Sequence, residues 1–211
     1  MKNILIIGAR GYGREYYGGL KRYQKDSTGY VVKGFLDDNK NILDNYKGFA
    51  PIISSVEDYE IGENDIFVCA LGDPKAREKY VNIIQNKGGT FLTTVHPSSI
   101  ISDTAEIGEG VNIGQFCTIS ENVKIGAFTS VQAYSVLGHD VQTGKFCSLG
   151  AYTFIGGNSI IGDNSTLYTR STILPNLILG NNVITGAGSV VIRNVRPGIT
   201  VFGIPAKKII T

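Results

Sequence analysis

The chain has 211 residues, room for one large domain or two small ones. Apolar residues reach 42% and charged residues only 18%, a composition that can bury a core and excludes a disordered chain. The 20 Lys and Arg against 18 Asp and Glu leave a net charge of +2, too balanced for a nucleic-acid partner held by phosphate contacts. Near the start, the longest uninterrupted apolar run, Ile4–Ile7, is far too short for a signal-peptide core or a membrane span. Cys69, Cys117 and Cys147 show no CxxC spacing, so neither a disulfide framework nor a zinc site is expected. A reduced cytoplasmic protein without membrane or nucleic-acid partners is the expectation.

Residues 1–95 alternate strand-like and helix-like segments. Lys2–Ile7 reads as a buried strand, Tyr12–Gln24 as a helix, Tyr30–Leu36 as a strand and Asp65–Leu71 as a third. Pro74–Asn86 is a helix with proline in its first turn, stopped by Gly88 and Gly89, and Thr90–Val95 is a short strand. Such alternation implies a small parallel, Rossmann-like sheet. His96-Pro97-Ser98-Ser99 marks the change of pattern, because proline forces its predecessor into an extended conformation. The domains are therefore 1–95 and 96–211. His96 reads as a structural residue of this junction.

From Ile101 the sequence repeats every six residues, sixteen hexads in a row to residue 196. Fourteen of the sixteen first positions are aliphatic and ten of the second positions are Gly, while the fifth is always Ala, Val, Cys, Thr, Ser or Leu. Six-residue spacing cannot make an amphipathic helix, since successive members fall all round the helix circumference. It suits short strands, in which the fifth residue of one hexad and the first of the next share a face. Polar or Gly residues at the third and fourth positions serve as corners. The result is a prism of three flat sheets, one hexad per side, stacked to roughly 25 Å at the usual strand spacing. Only stacking buries the apolar positions.

The Leu/Ile/Val-Gly-x-x-small-x series, as in Ile107-Gly108-Glu109-Gly110-Val111 and Ile125-Gly126-Ala127-Phe128-Thr129, resembles the hexapeptide-repeat acyltransferases over residues 101–196. The resemblance implies a left-handed parallel β-helix, a hand that the periodicity itself does not supply. The fold class is thus an α/β N-terminal Rossmann-like domain plus an all-β left-handed parallel β-helix. A β-solenoid with no chemistry is the alternative.

His139, one of two histidines in the chain, is third in its hexad, so its side chain leaves a corner pointing outward. Imidazole is suited to general-base work at neutral pH, and Asp140 is the neighbouring acceptor that would orient it. The Gly138-His139-Asp140 triplet resembles the sialic acid O-acetyltransferase-like (NeuD/PglD) sugar acyltransferases. That resemblance implies that His139 deprotonates a sugar amine or hydroxyl, which attacks the thioester of acetyl-CoA directly. Cys117 and Cys147 fall at inward fifth positions, which agrees with the absence of an acyl-enzyme. Gly157 stacks one coil above His139, and the resemblance gives its N–H an oxyanion-type role; ordinary turn chemistry is the alternative. A metal reading, as in the γ-class carbonic anhydrases that share the scaffold, needs three histidines, and residues 101–211 contain one, so no metal is expected.

Gly8-Ala9-Arg10-Gly11-Tyr12-Gly13 follows a strand and opens a helix, where glycines let the backbone approach a phosphate. Its GxxGxG spacing gives little support for NAD. By resemblance the loop takes nucleotide-sugar phosphates, and Phe35-Leu36-Asp37-Asp38 matches the segment that meets a uracil base through Asp37 and Asp38. Tyr12 stands where some members have His; it can stack or donate a hydrogen bond but cannot act as a neutral-pH base. Near the other end, Phe202-Gly203-Ile204-Pro205-Ala206-Lys207 resembles a closing segment that lies along CoA, implying contacts from Gly203, Ile204, Pro205 and Lys207, the last beside the 3′-phosphate. Arg193, Arg196, Lys207 and Lys208 add local positive charge. A homotrimer with composite active sites follows from the resemblance.

These readings converge on acetyl-CoA-dependent transfer to an amine or hydroxyl of a free or UDP-linked sugar for surface-glycan synthesis. The competing readings are a non-catalytic sugar-nucleotide-binding scaffold, an acyl-carrier-protein-dependent acyltransferase and an NAD(P) oxidoreductase.

Overall fold

The computed structural model describes residues 1–23 and 29–209, in two compact units, 1–92 and 93–211. Gln24, expected to end the first helix, lies outside the described residues.

The first unit is built on β1 (Lys2–Ile7), whose Ile4–Ile7 are at most 2% exposed. A strand apolar on both faces belongs in the middle of a parallel sheet covered on both sides. The observed order is β3 (Ile52–Ser54), β2 (Tyr30–Leu36), β1, β4 (Asp65–Cys69), all parallel. The edge strand β3 was not legible in the sequence: three residues are too few for an alternating pattern. Helix α1 (Gly11–Tyr23) buries Tyr16 and Leu20 against Ile4, Ile6, Phe35 and Val68. Helix α2 (Pro74–Asn86) starts as expected, with Asp73 capping the Ala76 N–H at 2.7 Å and proline at the first position.

At one end of the sheet, a polar cluster surrounds the carboxylate of Asp65, whose side chain is fully buried. It accepts from the Tyr59 hydroxyl (2.6 Å), the Gly62 N–H (2.8 Å), Asn3 Nδ2 (3.2 Å) and Lys33 Nζ (3.2 Å). Burial alone would push this carboxyl up, but the bonds from Tyr59, Gly62, Asn3 and Lys33 outweigh it and hold it below the ordinary 3.8.

The expected strand over 90–95 divides. Phe91 bridges to Phe67 in the first unit, whereas Thr94–Val95 pairs with Asn112–Ile113 in the second. The repeat therefore starts one hexad earlier than Ile101: Val95 takes a first position, and His96 donates its backbone N–H to Ile113 O. The His96 ring folds back locally, its Nδ1 accepting from the Ser98 N–H at 3.2 Å.

The second unit is a parallel β-helix of three sheets. Strand partners lie 18 residues apart, as in Lys124↔Gln142 and Val136↔Phe154. First-position residues such as Ile119, Leu137, Ile155 and Ile173 form a dry column with fifth-position Val111, Cys117, Val141 and Cys147. Polar fifth-position residues are buried too, because their hydroxyls reach a carbonyl 15 residues on, as in Ser135 to Gly150 O (3.0 Å) and Ser165 to Gly180 O (3.1 Å).

From Gly110 to Gly188 the fourth-position corner residues adopt the left-handed conformation whatever their chemistry, with Phe116 at φ 54°, Tyr134 at 61° and Asp140 at 61°. Second-position glycine has a steric cause: a Cβ on Gly126 would meet the Gly144 carbonyl carbon at 2.3 Å. The strict period ends before residue 196. Ile184 pairs with Thr200 and Leu179 with Val195, both 16 residues apart, so the last coil is two residues short although the hexad pattern continues in the sequence.

Candidate active site

His139 stands at the corner between strands Val136–Leu137 and Gln142–Thr143, its side chain 61% exposed. Its Nδ1 lies 2.8 Å from Asp140 Oδ2. A carboxylate only accepts, so the shared proton sits on Nδ1 and the lone pair of the neutral ring is on Nε2. Asp140 Oδ1 in turn accepts from Asn122 Nδ2 at 3.1 Å, one coil earlier. The bond from His139, and then that from Asn122, holds the Asp140 carboxyl below its ordinary 3.8. Asn122 is itself tied down, its N–H donating to Thr104 Oγ1 at 2.9 Å. Three coils thus supply a Thr104–Asn122–Asp140–His139 ladder that fixes the imidazole and points a basic nitrogen outward.

Gly157 lies against that nitrogen: a Cβ there would stand 2.6 Å from Nε2 and 2.7 Å from Cε1. The neighbouring corner shows why its N–H stays open. Lys145 N donates to Asp163 Oδ1, and Asp163 N to Asn181 Oδ1, each 18 residues on. The residue 18 beyond Gly157 is Pro175, which carries no acceptor side chain. Among the described residues the Gly157 N–H has no acceptor, next to the imidazole tip.

Neither cysteine of the prism can act as a nucleophile. Cys117 and Cys147 are buried, their thiols directed at the carbonyls of Gln132 and Gly162 at 3.2 Å each. Burial also pushes the Cys117 thiol up from its ordinary value.

The closing segment forms a hairpin. Thr200–Gly203 pairs antiparallel with Ala206–Lys208, bringing Phe202 opposite Lys207. Gly203, at φ 102°, donates to Ser189 Oγ at 3.1 Å, and Ile204, 77% exposed, stands at the turn with Pro205. This hairpin ends the eight-stranded sheet, about three coils or roughly 14 Å along the stack from His139 at the usual strand spacing. Within one chain the two places are apart.

In the first unit a cleft of about 440 Å³ opens beside the Gly-rich loop, lined by Gly8, Arg10, Asp37, Asp38, Asp73 and Tyr80 among others. Of the six residues expected there, the structure brings Gly8, Asp37 and Asp38 to the cleft. Gly11, Tyr12 and Gly13 open α1 outside its lining. Gly13 is a packing requirement, since a Cβ would stand 1.9 Å from Gly8 O. Asp37 is a clamp: Oδ2 accepts from the Ala9 N–H (2.8 Å) and Oδ1 from the Asn39 N–H (3.0 Å), which ties β2 to the loop. Asp38 Oδ2 accepts from the Tyr80 hydroxyl at 2.6 Å. Arg10, Asp73 and Tyr80 were missed in the sequence; Tyr80 is 42 residues from Asp38 and no spacing rule joins them. Among the described residues no three His, Cys, Asp or Glu side chains gather as a metal site.

The fold joins a parallel β-helix of hexapeptide repeats to a small parallel α/β unit. Residues 3–84 match the PglD N-terminal domain, and residues 158–193 match the bacterial transferase hexapeptide of six repeats. The chain thus carries a segment that matches the PglD N-terminal domain, followed by one that matches hexapeptide repeats. UDP-N-acetylbacillosamine N-acetyltransferase of Bacillus subtilis is 27% identical over 115 residues, 54% of this chain and 51% of that protein. The match therefore spans about half the length of that curated relative. Among solved structures, a mutant perosamine N-acetyltransferase from Caulobacter crescentus, in complex with CoA and GDP-perosamine, superposes with TM-score 0.89 at 23% identity, covering 100% of this chain and 98% of that one. The acetyltransferase domain of PglB from Neisseria gonorrhoeae, in complex with acetyl coenzyme A, gives 0.86 at 22%, covering 99% of each. At these identities the likeness shows a shared fold.

Proposed function

We propose that the protein is a sugar N- or O-acetyltransferase that uses acetyl-CoA and a nucleotide-linked sugar. The carrying observation is the His139–Asp140 pair, with Nδ1 engaged at 2.8 Å and Nε2 set beside the open Gly157 N–H. The acceptor amine or hydroxyl gives its proton to Nε2 as its nitrogen or oxygen bonds to the thioester carbonyl carbon. The carbonyl oxygen takes the negative charge beside the Gly157 N–H. When the C–S bond breaks, the sulfur leaves as the CoA thiolate, to be protonated by the imidazolium. General-base catalysis of this kind contributes on the order of 10²–10⁴ in rate, and an oxyanion donor a comparable factor.

The exposed hairpin around Gly203–Lys207 favours CoA over an acyl-carrier protein: in this reading Ile204 and Pro205 meet the adenine end and Lys207 a phosphate. The front cleft takes the nucleotide, with Arg10 as the cation for the diphosphate and Asp38 for the base. The Bacillus subtilis relative is named for a UDP-sugar and the Caulobacter crescentus neighbour is in complex with GDP-perosamine, which favours a nucleotide-linked acceptor over a free one. A homotrimer accounts for the stacked column Phe116–Tyr134–Tyr152 left 46–53% exposed along one corner, which a second copy would cover. Three free cysteines fit a reducing, cytoplasmic setting. Among the described residues no helix is long and apolar enough to cross a membrane.

The deciding experiment is a thiol-release assay with acetyl-CoA against UDP- and GDP-amino sugars and free amino sugars. Turnover with a nucleotide-linked amine, lost in His139→Ala, supports the reading. Absence of thiol release with every acceptor favours a non-catalytic scaffold.

A further inference from the structure

Ala9, in the Gly-rich loop, is gripped by both of its polar backbone groups. Its N–H donates to Asp37 Oδ2 at 2.8 Å, and its carbonyl accepts from Arg14 Nη1 at 3.4 Å. Arg14 lies in the first turn of α1 and reaches back to the loop that precedes its own helix. A guanidinium on so long a stem has many rotamers to choose from. Here Tyr46 selects one, its ring lying against the guanidinium with the centroid 3.7 Å from the Arg14 Cζ.

Tyr46 belongs to the strap between β2 and β3, which is built from local turns. Asp37 Oδ1 accepts from the Asn39 N–H at 3.0 Å, Asn39 Oδ1 from the Asn41 N–H at 3.1 Å, and Leu43 O from the Tyr46 N–H at 2.8 Å. Ile42, Leu43 and Phe49 pack on the core that α1 covers with Tyr16 and Leu20, and Phe49 meets the Tyr17 ring at 5.4 Å. The strap is therefore anchored at both ends. Asp37 opens it with one oxygen and holds Ala9 with the other, while Tyr46 holds Ala9 from the far side through Arg14.

The carbonyl that Arg14 holds belongs to the Ala9–Arg10 peptide, which is trans. In a planar trans peptide the C=O and N–H point in opposite directions, so fixing the carbonyl also aims the Arg10 N–H, away from Arg14. That N–H has no acceptor among the described residues, and Arg10 lines the front cleft whereas Arg14 and Tyr46 do not. We propose that Arg14, braced by Tyr46, is a positioning residue: it fixes the Ala9–Arg10 peptide so that the Arg10 N–H is presented to the diphosphate of the nucleotide-linked sugar. A donor already held in place costs no ordering when the anion arrives. The inference rests on the nucleotide-sugar reading above and adds to it two residues that act on the loop from outside the cleft.

The test is calorimetric titration of the full chain with UDP and with GDP, in the wild type and in variants whose melting curves show them folded. The wild type is expected to bind at least one of the two. Arg14→Leu and Tyr46→Leu should each weaken that nucleotide by on the order of three- to thirtyfold, the usual worth of a cation held on a ring. Tyr46→Phe keeps the ring and should stay within about twofold of the wild type. Because both residues act on one peptide, the double variant should be no more than about twofold weaker than Arg14→Leu alone. Tyr46 is 47% exposed, so its variants carry the test even if Arg14→Leu fails to fold. Loss in Arg14→Leu with none in Tyr46→Leu makes Arg14 a plain phosphate contact and overturns the inference. Effects that multiply in the double variant, or unchanged affinity in folded Tyr46→Leu, overturn it too, and each of these results leaves the nucleotide reading standing. Binding of neither nucleotide by the wild type removes that reading, and this inference with it.

Discussion

The Nε2 of His139 and the missing side chain of Gly157 occupy almost the same place: a methyl on Gly157 would stand 2.6 Å from that nitrogen. A carbon and a nitrogen cannot approach so closely, so any larger residue at 157 must turn the imidazole away. The glycine thus both leaves an N–H open and makes room for the base.

Gly157→Ala tests this relationship. Gly157 is not in the left-handed region, so alanine is tolerated by the backbone, and the Asp140 bond is what must give way when the ring turns. The expected outcome is a fall in kcat of ten- to a hundredfold with little change in melting temperature. A variant retaining full turnover would separate Gly157 from the chemistry.

His139→Ala should lower kcat by on the order of 10²–10⁴, the usual worth of a general base, with the fold kept because the ring is exposed. Circular dichroism and thiol release measured on one preparation distinguish lost chemistry from lost structure.

Asp140 supplies a pH prediction. Its carboxyl is held below 3.8 by His139 and then by Asn122, so it is ionised throughout the neutral range. A depressed carboxylate contributes its orienting bond above the unfolded value and loses it only as the pH falls through the folded one. The rate profile should therefore show no break from Asp140 between about pH 5 and 8. Asn122→Ala removes one of the two bonds and should raise that acid limit, visible as an earlier loss of activity on acidification. Superimposable wild-type and variant profiles would exclude the ladder.

Asp65 makes a prediction about stability in the front unit. Its buried carboxylate accepts from four groups, and removing it takes this acceptor from the Tyr59 hydroxyl, Asn3 Nδ2 and the Gly62 N–H and leaves Lys33 only the Tyr59 hydroxyl. Asp65→Ala should cost about 1–3 kcal/mol, the usual effect of leaving buried hydrogen-bonding groups unpaired, since the Lys33 left behind is 38% exposed and screened by solvent. The carboxyl is depressed in the folded state, so the wild type loses this contribution as the pH falls below the ordinary 3.8, while the variant has none to lose. Denaturant melts at pH 7 and near pH 3 should therefore converge for the two proteins.

Gly13→Ala tests the loop. A Cβ 1.9 Å from Gly8 O forces the strand–helix turn apart and should abolish nucleotide binding in calorimetry while leaving the hexapeptide prism folded.

The prism was legible because its information is local and repeated. Each hexad states which residue goes inward, and Leu137, Ile155 and Ile173 stack as that pattern requires. β1, β2 and α2 were legible for the related reason that β1's apolar run and the start Asp73-Pro74 are signals contained in a few adjacent residues. His139 with Asp140 belongs to the same class, since they are neighbours in the chain.

Contacts across long separations were not legible. Val195 meets Leu179 two residues early, a shortening set by how the last coil closes and invisible in an uninterrupted hexad pattern. Asp37 read as a base contact; that its oxygens also accept from Ala9 and Asn39 was not visible in the sequence, because the strand end and the loop converge only in the folded sheet. Tyr80 reaches Asp38, and Asn122 reaches Asp140, because a helix and a coil carry them there. The sequence by itself determined the repeat, the longer elements and the outward imidazole, all consequences of period and local steric preference. The tertiary structure alone decided which hydrogen-bonding groups remain unspent, since that depends on partners 18 and 42 residues away.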